Sequence, residues 1–160
     1  MENLFPNEAG GAKFAYWTTT VTGSGSAPVG TYSATSGPDS MPGLSMACTG
    51  TSGGVKAVSA TLDVGAETMI GLSVILAASN TANSLLVPIS ISYKDASGNA
   101  IITVTPIASA AAASTSAIMY NACIGSPVNA TTAVVTFGAY SWTSTGGYSL
   151  IMSSPVVLGY

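Results

Sequence analysis

From Leu85 to Tyr93 the side chains alternate with period two. Leu85, Val87, Ile89, Ile91 and Tyr93 fall on one side, and Pro88, Ser90 and Ser92 on the other. A helix repeats every 3.6 residues and would scatter this pattern. An antiparallel strand with one buried and one wet face produces it. Pro88 has no N–H to donate to a ladder, so it marks an edge strand or a bulge. A second stretch, Val58 to Val64, reads the same way. There Val58, Ala60, Leu62 and Val64 are expected inside, and Ser59, Thr61 and Asp63 outside.

Turn chemistry joins such stretches. Asp95-Ala96-Ser97-Gly98-Asn99 separates Leu85–Tyr93 from the apolar Ile101–Thr105, which predicts a hairpin. Met69–Ala78 is apolar on both faces, as a central strand covered on both sides would be. Ile118–Ile124, Thr132–Trp142 and Tyr148–Leu158 are further strands. Thr143-Ser144-Thr145-Gly146-Gly147 is expected to join the last two as a second hairpin. The first fifty residues are less regular and rich in loop signals, with weaker strands at Tyr32–Thr35 and Gly43–Thr49. Ala108–Ala113 favours helix by composition but is too short to stand alone, and reads as a loop or a single turn. About eight or nine short strands at regular spacing predict an all-β fold, an antiparallel jelly-roll β-sandwich. No repeat or linker divides the chain, so residues 1–160 form one domain.

Charge narrows what such a domain can do. Charged residues make up 6% of the chain: six carboxylates, three lysines (Lys13, Lys56, Lys94), no arginine and no histidine. Phosphate backbones need a basic patch, so nucleic acid is excluded as a partner. A free monomer stays soluble through mixed surface charge. Here Ser, Thr, Gly and Asn carry that task, as suits a subunit packed against copies of itself or against a particle. The run Met69–Ala78 is too short to span a bilayer as a helix, and no membrane partner is expected. The start, Met-Glu-Asn-Leu-Phe-Pro-Asn, lacks a basic segment followed by an apolar one, so no signal peptide is expected.

Catalytic constellations are missing. Without histidine there is no Ser-His or Cys-His nucleophile system. No nucleophile elbow, P-loop or dinucleotide fingerprint occurs. Glu2, Glu8, Asp39, Asp63, Glu67 and Asp95 mostly sit beside turns, where acidic residues cap and solubilise, rather than as a pair across a cleft. Cys48 and Cys123 form neither a CxxC nor a zinc set. They bond if their strands are neighbours, and are otherwise two buried free thiols. No catalytic residue, metal ligand or cofactor is expected. Asn129-Ala130-Thr131 is a glycosylation sequon, with no secretory signal to give it meaning. Tyr16, Trp17, Tyr32, Tyr140, Trp142 and Tyr148 are the candidate ligand or interface aromatics. Rings of this kind stack on the apolar face of a sugar, but they also fill cores and protein interfaces. Core or interface is the preferred role.

The order of landmarks resembles the carbohydrate-binding-module jelly rolls, galactose-binding-like sandwiches found in glycanases and in phage virion proteins. Asn3-Leu4-Phe5-Pro6-Asn7 followed by Trp17 is similar to the family's opening. Gly65-Ala66-Glu67-Thr68-Met69-Ile70 and Tyr93-Lys94-Asp95-Ala96-Ser97-Gly98-Asn99 resemble its later motifs, and Tyr148–Leu158 would close on the first strand. Ser153-Ser154-Pro155 stand where the family often carries an Asp pair for a structural calcium, which speaks against calcium. The Arg and Asp residues that usually line a sugar cleft are also missing. The resemblance implies a non-enzymatic virion protein, a bacteriophage capsid-decoration or tail-appendage subunit. Such a subunit is made in the host cytoplasm and carried out on the particle. Its partners would be other virion proteins, such as the major capsid protein, and copies of itself. The alternative is a carbohydrate-binding module that attaches to surface glycans.

Overall fold

A computed structural model describes residues 2–4, 14–23, 31–33, 41–48, 52–78, 86–111, 118–138, 142–143 and 148–160. Among the described residues there are thirteen strand segments: β1 (Glu2–Asn3), β2 (Trp17–Gly23), β3 (Thr31–Ser33), β4 (Gly43–Cys48), β5 (Ser52–Ser59), β6 (Leu62–Asp63), β7 (Met69–Ala78), β8 (Leu86–Lys94), β9 (Ala100–Ala111), β10 (Ile118–Gly125), β11 (Thr132–Gly138), β12 (Trp142–Thr143) and β13 (Tyr148–Gly159). All pairings between them are antiparallel. The first sheet runs β10-β7-β13-β4-β3, with β1 also on β13. The second runs β12-β5-β11-β8-β9, with β2 on β5 and β6 on β11. Of these, β6 and β12 are two-residue continuations of β5 and β11, pairing along the same partner strands.

The core lies between the sheets. From the first come Leu44, Met46, Ile70, Leu72, Val74, Leu76, Leu150, Met152 and Val157; from the second, Trp17, Ala57, Leu62, Ile89, Ile91, Tyr93, Ala133, Val135 and Phe137. Ile89, Ile91 and Tyr93 are fully buried, as their alternation requires. Pro88 sits on β8, which is paired on both sides, and the ladder to β9 shifts register between Val87 and Ile89. The bulge is therefore the correct one of its two readings.

The Asp95–Asn99 turn joins β8 to β9 as expected. The Asp95 carboxylate accepts hydrogen bonds from the Ser97 and Asn99 N–H groups, both at 2.9 Å, and from the Asn99 side-chain amide at 3.0 Å. The Asn99 amide first, and the backbone donors after it, hold the Asp95 carboxyl below the usual carboxylate range. A lowered pKa contributes stability above the unfolded carboxyl's value of about 3.9, and that contribution is lost as pH falls through the folded value. Asp95→Ala should lower the melting temperature at pH 7 and flatten its acid dependence; identical acid limbs in thermal melts would refute this.

Tyr93 carries a different tension. Its ring is fully buried, but its hydroxyl has no hydrogen-bond partner. Burial raises its pKa. Tyr93→Phe should therefore stabilise the fold by about 1 kcal/mol in denaturant titrations. It should also remove a loss of stability that begins as pH rises past the unfolded phenol's value of about 10.

Four expectations need correction. Only Leu62 and Val64 of the Val58–Val64 set are buried; Val58 is half-buried, Ala60 is exposed, and Ser59 is buried instead. The cause is a bulge: Thr136 faces Val58 and Ala133 faces Leu62, so Ser59, Ala60 and Thr61 stand opposite only Val134 and Val135. The extra residue flips the alternation. Residues 108–111 are neither loop nor helical turn but the end of β9, where Ala110 and Ala111 pair with Val87 and Leu86 of β8. β11 and β13 do not form a hairpin: β13 lies in the other sheet, between β7 and β4. Finally, β7 is not covered on both sides, because Met69 on its outer face is 42% exposed.

Candidate functional site

Two outer faces are available. On the second sheet, side chains pointing away from the core form cross-strand rows. Thr18, Val58, Thr136 and Ser90 are successive partners across β2, β5, β11 and β8. Val134, Ser92 and Thr103 continue the surface across β11, β8 and β9. The Ser92 and Thr103 hydroxyls hydrogen-bond at 2.9 Å. Lys56 is exposed beside Thr20, its register partner. One row further, Thr132 lies between the exposed Asp63 and Lys94. Hydroxyls and short aliphatics with a few scattered charges make up this face.

The first sheet holds a better-formed site. On its outer face Cys123, Gly71 and Leu158 are successive partners across β10, β7 and β13; Asn121, Ser73 and Val156 form the next row. Gly71 has no side chain, so the sheet is dimpled there. Tyr160, just past β13, lays its ring over the gap: a Cβ built on Gly71 would come within 2.9 Å of the ring's Cε2. The pocket so formed has a volume of about 210 Å³ and is lined by Gly71, Ser73, Asn121, Cys123, Val156 and Tyr160, among others. None of its described lining side chains is charged.

The backbone holds this ring in place. The Tyr160 carbonyl accepts hydrogen bonds from the Thr68 N–H at 2.8 Å, the Met69 N–H at 3.2 Å and the Thr68 hydroxyl at 2.8 Å. The Tyr160 N–H donates to the Met69 carbonyl at 3.0 Å. Tyr160 as a residue is 44% exposed, beside a floor of sheet backbone.

The sequence-predicted aromatics lie elsewhere. Trp17 is buried and packs on Phe137 with ring centroids 5.0 Å apart. Tyr16 is partly buried against the core. Tyr32 is 40% exposed and rests on Phe14, with centroids 5.5 Å apart. Tyr140 lies outside the described residues, as do the side chains of Trp142 and Tyr148; the backbone pairs Trp142 with Gly53 and Tyr148 with Cys48, in different sheets. Cys123 is an exposed free thiol, not a buried one. Its strand, β10, is separated from β4, which carries Cys48, by β7 and β13. Among the described residues no cluster of His, Cys, Asp or Glu side chains could hold a metal ion.

Sequence reasoning missed Tyr160, Gly71, Ser73 and Asn121. One local signal existed: Gly71 and Ser73 are small residues at alternate positions of an otherwise apolar strand.

No protein-family model matches the chain, and no curated protein matches it by sequence. Solved structures do match its fold. The enzymatically active domain of bacteriophage CBA120 tailspike protein 4 aligns with 99% of this chain at a TM-score of 0.64 and 17% identity. The chain spans only 21% of that protein. A xylan-binding domain from carbohydrate-binding family 22 aligns over 99% of this chain and 93% of its own, at a TM-score of 0.59 and 15% identity. The N-terminal cellulose-binding domain of a Cellulomonas fimi β-1,4-glucanase aligns over 94% and 91%, at a TM-score of 0.54 and 11% identity. The fold is a carbohydrate-binding-module-like jelly roll. In this jelly roll the Tyr160 pocket opens on the sheet that carries both β1 and β13.

Proposed function

We propose that the chain is a non-catalytic jelly-roll domain that binds glycans. The observation that carries this reading is reciprocal coverage. The chain and stand-alone polysaccharide-binding domains match over more than nine-tenths of both lengths, so what is shared is a whole domain rather than a common sheet. A nearly uncharged exterior with exposed hydroxyls and a solvent-facing tyrosine suits a neutral polysaccharide. The purified chain should be retarded in native gels containing xylan or β-glucan, or should mark neutral glycans on an array. It should release no reducing ends from them. Free migration in every polysaccharide, together with a blank array, would overturn the reading.

A second reading is favoured by the tailspike likeness, in which the whole chain corresponds to a segment of a much larger phage protein. In this reading the domain is part of a virion, a capsid-decoration or tail-appendage subunit that leaves the host on the particle. It would pack on other virion proteins, such as the major capsid protein, or on copies of itself. The charge content of 6% supports it, since such a surface is poorly suited to a free monomer. Sedimentation at high concentration should then show self-association, and a strictly monomeric boundary would count against it.

A further inference from the structure

We infer that the pocket beside the Tyr160 ring is a subsite for a single neutral sugar ring, on the face opposite the hydroxyl rows. The inference rests on the glycan reading above and adds to it a place and a ligand class.

Size sets the first limit. At about 210 Å³ the pocket is smaller than the roughly 300–1,000 Å³ that takes a drug-sized ligand. It suits one ring, not an extended chain. Charge sets the second. With no acidic or basic side chain among the described lining residues, an ionic ligand would lose its hydration and gain no counter-charge from them. Phosphorylated and sialylated groups are therefore disfavoured.

What remains is a ring with one apolar face and a rim of hydroxyls. Tyr160 offers an aromatic surface on a backbone fixed by three backbone hydrogen bonds and one from the Thr68 hydroxyl, so little backbone ordering entropy is lost when a ring stacks on it. Val156 and Leu158 extend the apolar wall, half-buried from β13. Across the floor, the exposed Asn121 amide supplies two donors and an acceptor, and Ser73 a hydroxyl. Neighbouring hydroxyls on a sugar match an amide of this kind. Gly71 is what makes the floor: any larger residue there would meet the Tyr160 ring and fill the dimple.

Cys123 gives a reporter in the wall. It is exposed and free, so a bound ring should slow its alkylation. The test uses saturation-transfer NMR on the intact chain with xylose, glucose, galactose and N-acetylglucosamine, and with N-acetylneuraminic acid as a charged comparison. At least one neutral sugar should show transfer to its ring C–H groups, and the charged sugar none. Tyr160→Ala should weaken that sugar by roughly tenfold or more, whereas Tyr160→Phe should retain most of the binding. Asn121→Ala, at an exposed position that leaves the fold intact, should weaken it by about threefold to tenfold. Saturating sugar should slow Cys123 alkylation, mapped by mass spectrometry, in the wild type but not in Tyr160→Ala. If glycans bind but Tyr160→Ala and Asn121→Ala leave affinity unchanged, while Thr136→Ala on the opposite face abolishes it, the pocket assignment is wrong and the glycan reading stands. If no neutral sugar or polysaccharide binds at all, both fall together.

Discussion

Phe137→Ala should cost about 3–5 kcal/mol of folding free energy, the loss usual for a large aromatic truncated in a packed core. Phe137 is fully buried on β11, with Ala57 opposite it on one flank and Ile89 on the other. The Trp17 ring lies against it, tilted by 44°. Its removal would leave a cavity bordered by Trp17, and a tryptophan cannot collapse into such a space without leaving its own rotamer. A domain of this size is stable by only about 5–15 kcal/mol, so the variant would sit near its unfolding threshold. Urea titration should show the midpoint falling while the slope is unchanged. Phe137→Leu should cost distinctly less. An alanine variant as stable as wild type would mean that the Trp17–Phe137 contact is not part of the core.

That prediction depends on a packing contact that no local pattern announces. The sequence made the hairpin at Asp95–Asn99 readable, because its turn residues and both flanking alternations are local. The buried row Ile89, Ile91, Tyr93 was readable for the same reason. The errors arose where a partner strand decides the outcome. The alanine-rich stretch from Ala108 favours helix by composition, yet Ala110 and Ala111 pair with Val87 and Leu86 of β8. Thr132–Trp142 and Tyr148–Leu158 look like a hairpin because a Gly-containing turn follows the first. Nothing local says that the second crosses to the other sheet and pairs with β4 and β7.

The candidate pocket was illegible for a stronger version of that reason. It needs Gly71, Asn121 and Tyr160 side by side, and these come from three strands or strand ends far apart in the chain. The six named aromatics drew attention because they are large and clustered in sequence. Yet of these, Trp17 is spent on the core, while the tyrosine that overhangs a pocket was not singled out. Gly71 was the readable half of that pair: a glycine weakens a strand interior, and often marks close approach by another group.

Ser59→Ala should destabilise the fold by about 1–3 kcal/mol, a large effect for the loss of one hydroxyl, because it would strand a buried backbone donor. The bulge at Ser59–Thr61 interrupts the ladder between β11 and its neighbours β5 and β6. Val135, opposite the gap, is fully buried. Its N–H donates not to a backbone carbonyl but to the Ser59 hydroxyl, at 2.9 Å. The same hydroxyl donates to the Ala60 carbonyl at 2.7 Å. Ser59 thus supplies from its side chain the bond that the bulge removes, and this is why a serine is buried where alternation asks for an apolar residue. Alanine would keep the volume nearly constant, so packing loss could not account for the result. Threonine keeps the hydroxyl and should recover part of the loss. Hydrogen exchange gives the decisive readout: the Val135 amide should exchange faster in Ser59→Ala by more than the drop in global stability explains. Amides of the unbroken β8–β11 ladder, such as Ile91, should follow the global change alone. Equal acceleration at both sites would show that the hydroxyl is not what holds Val135.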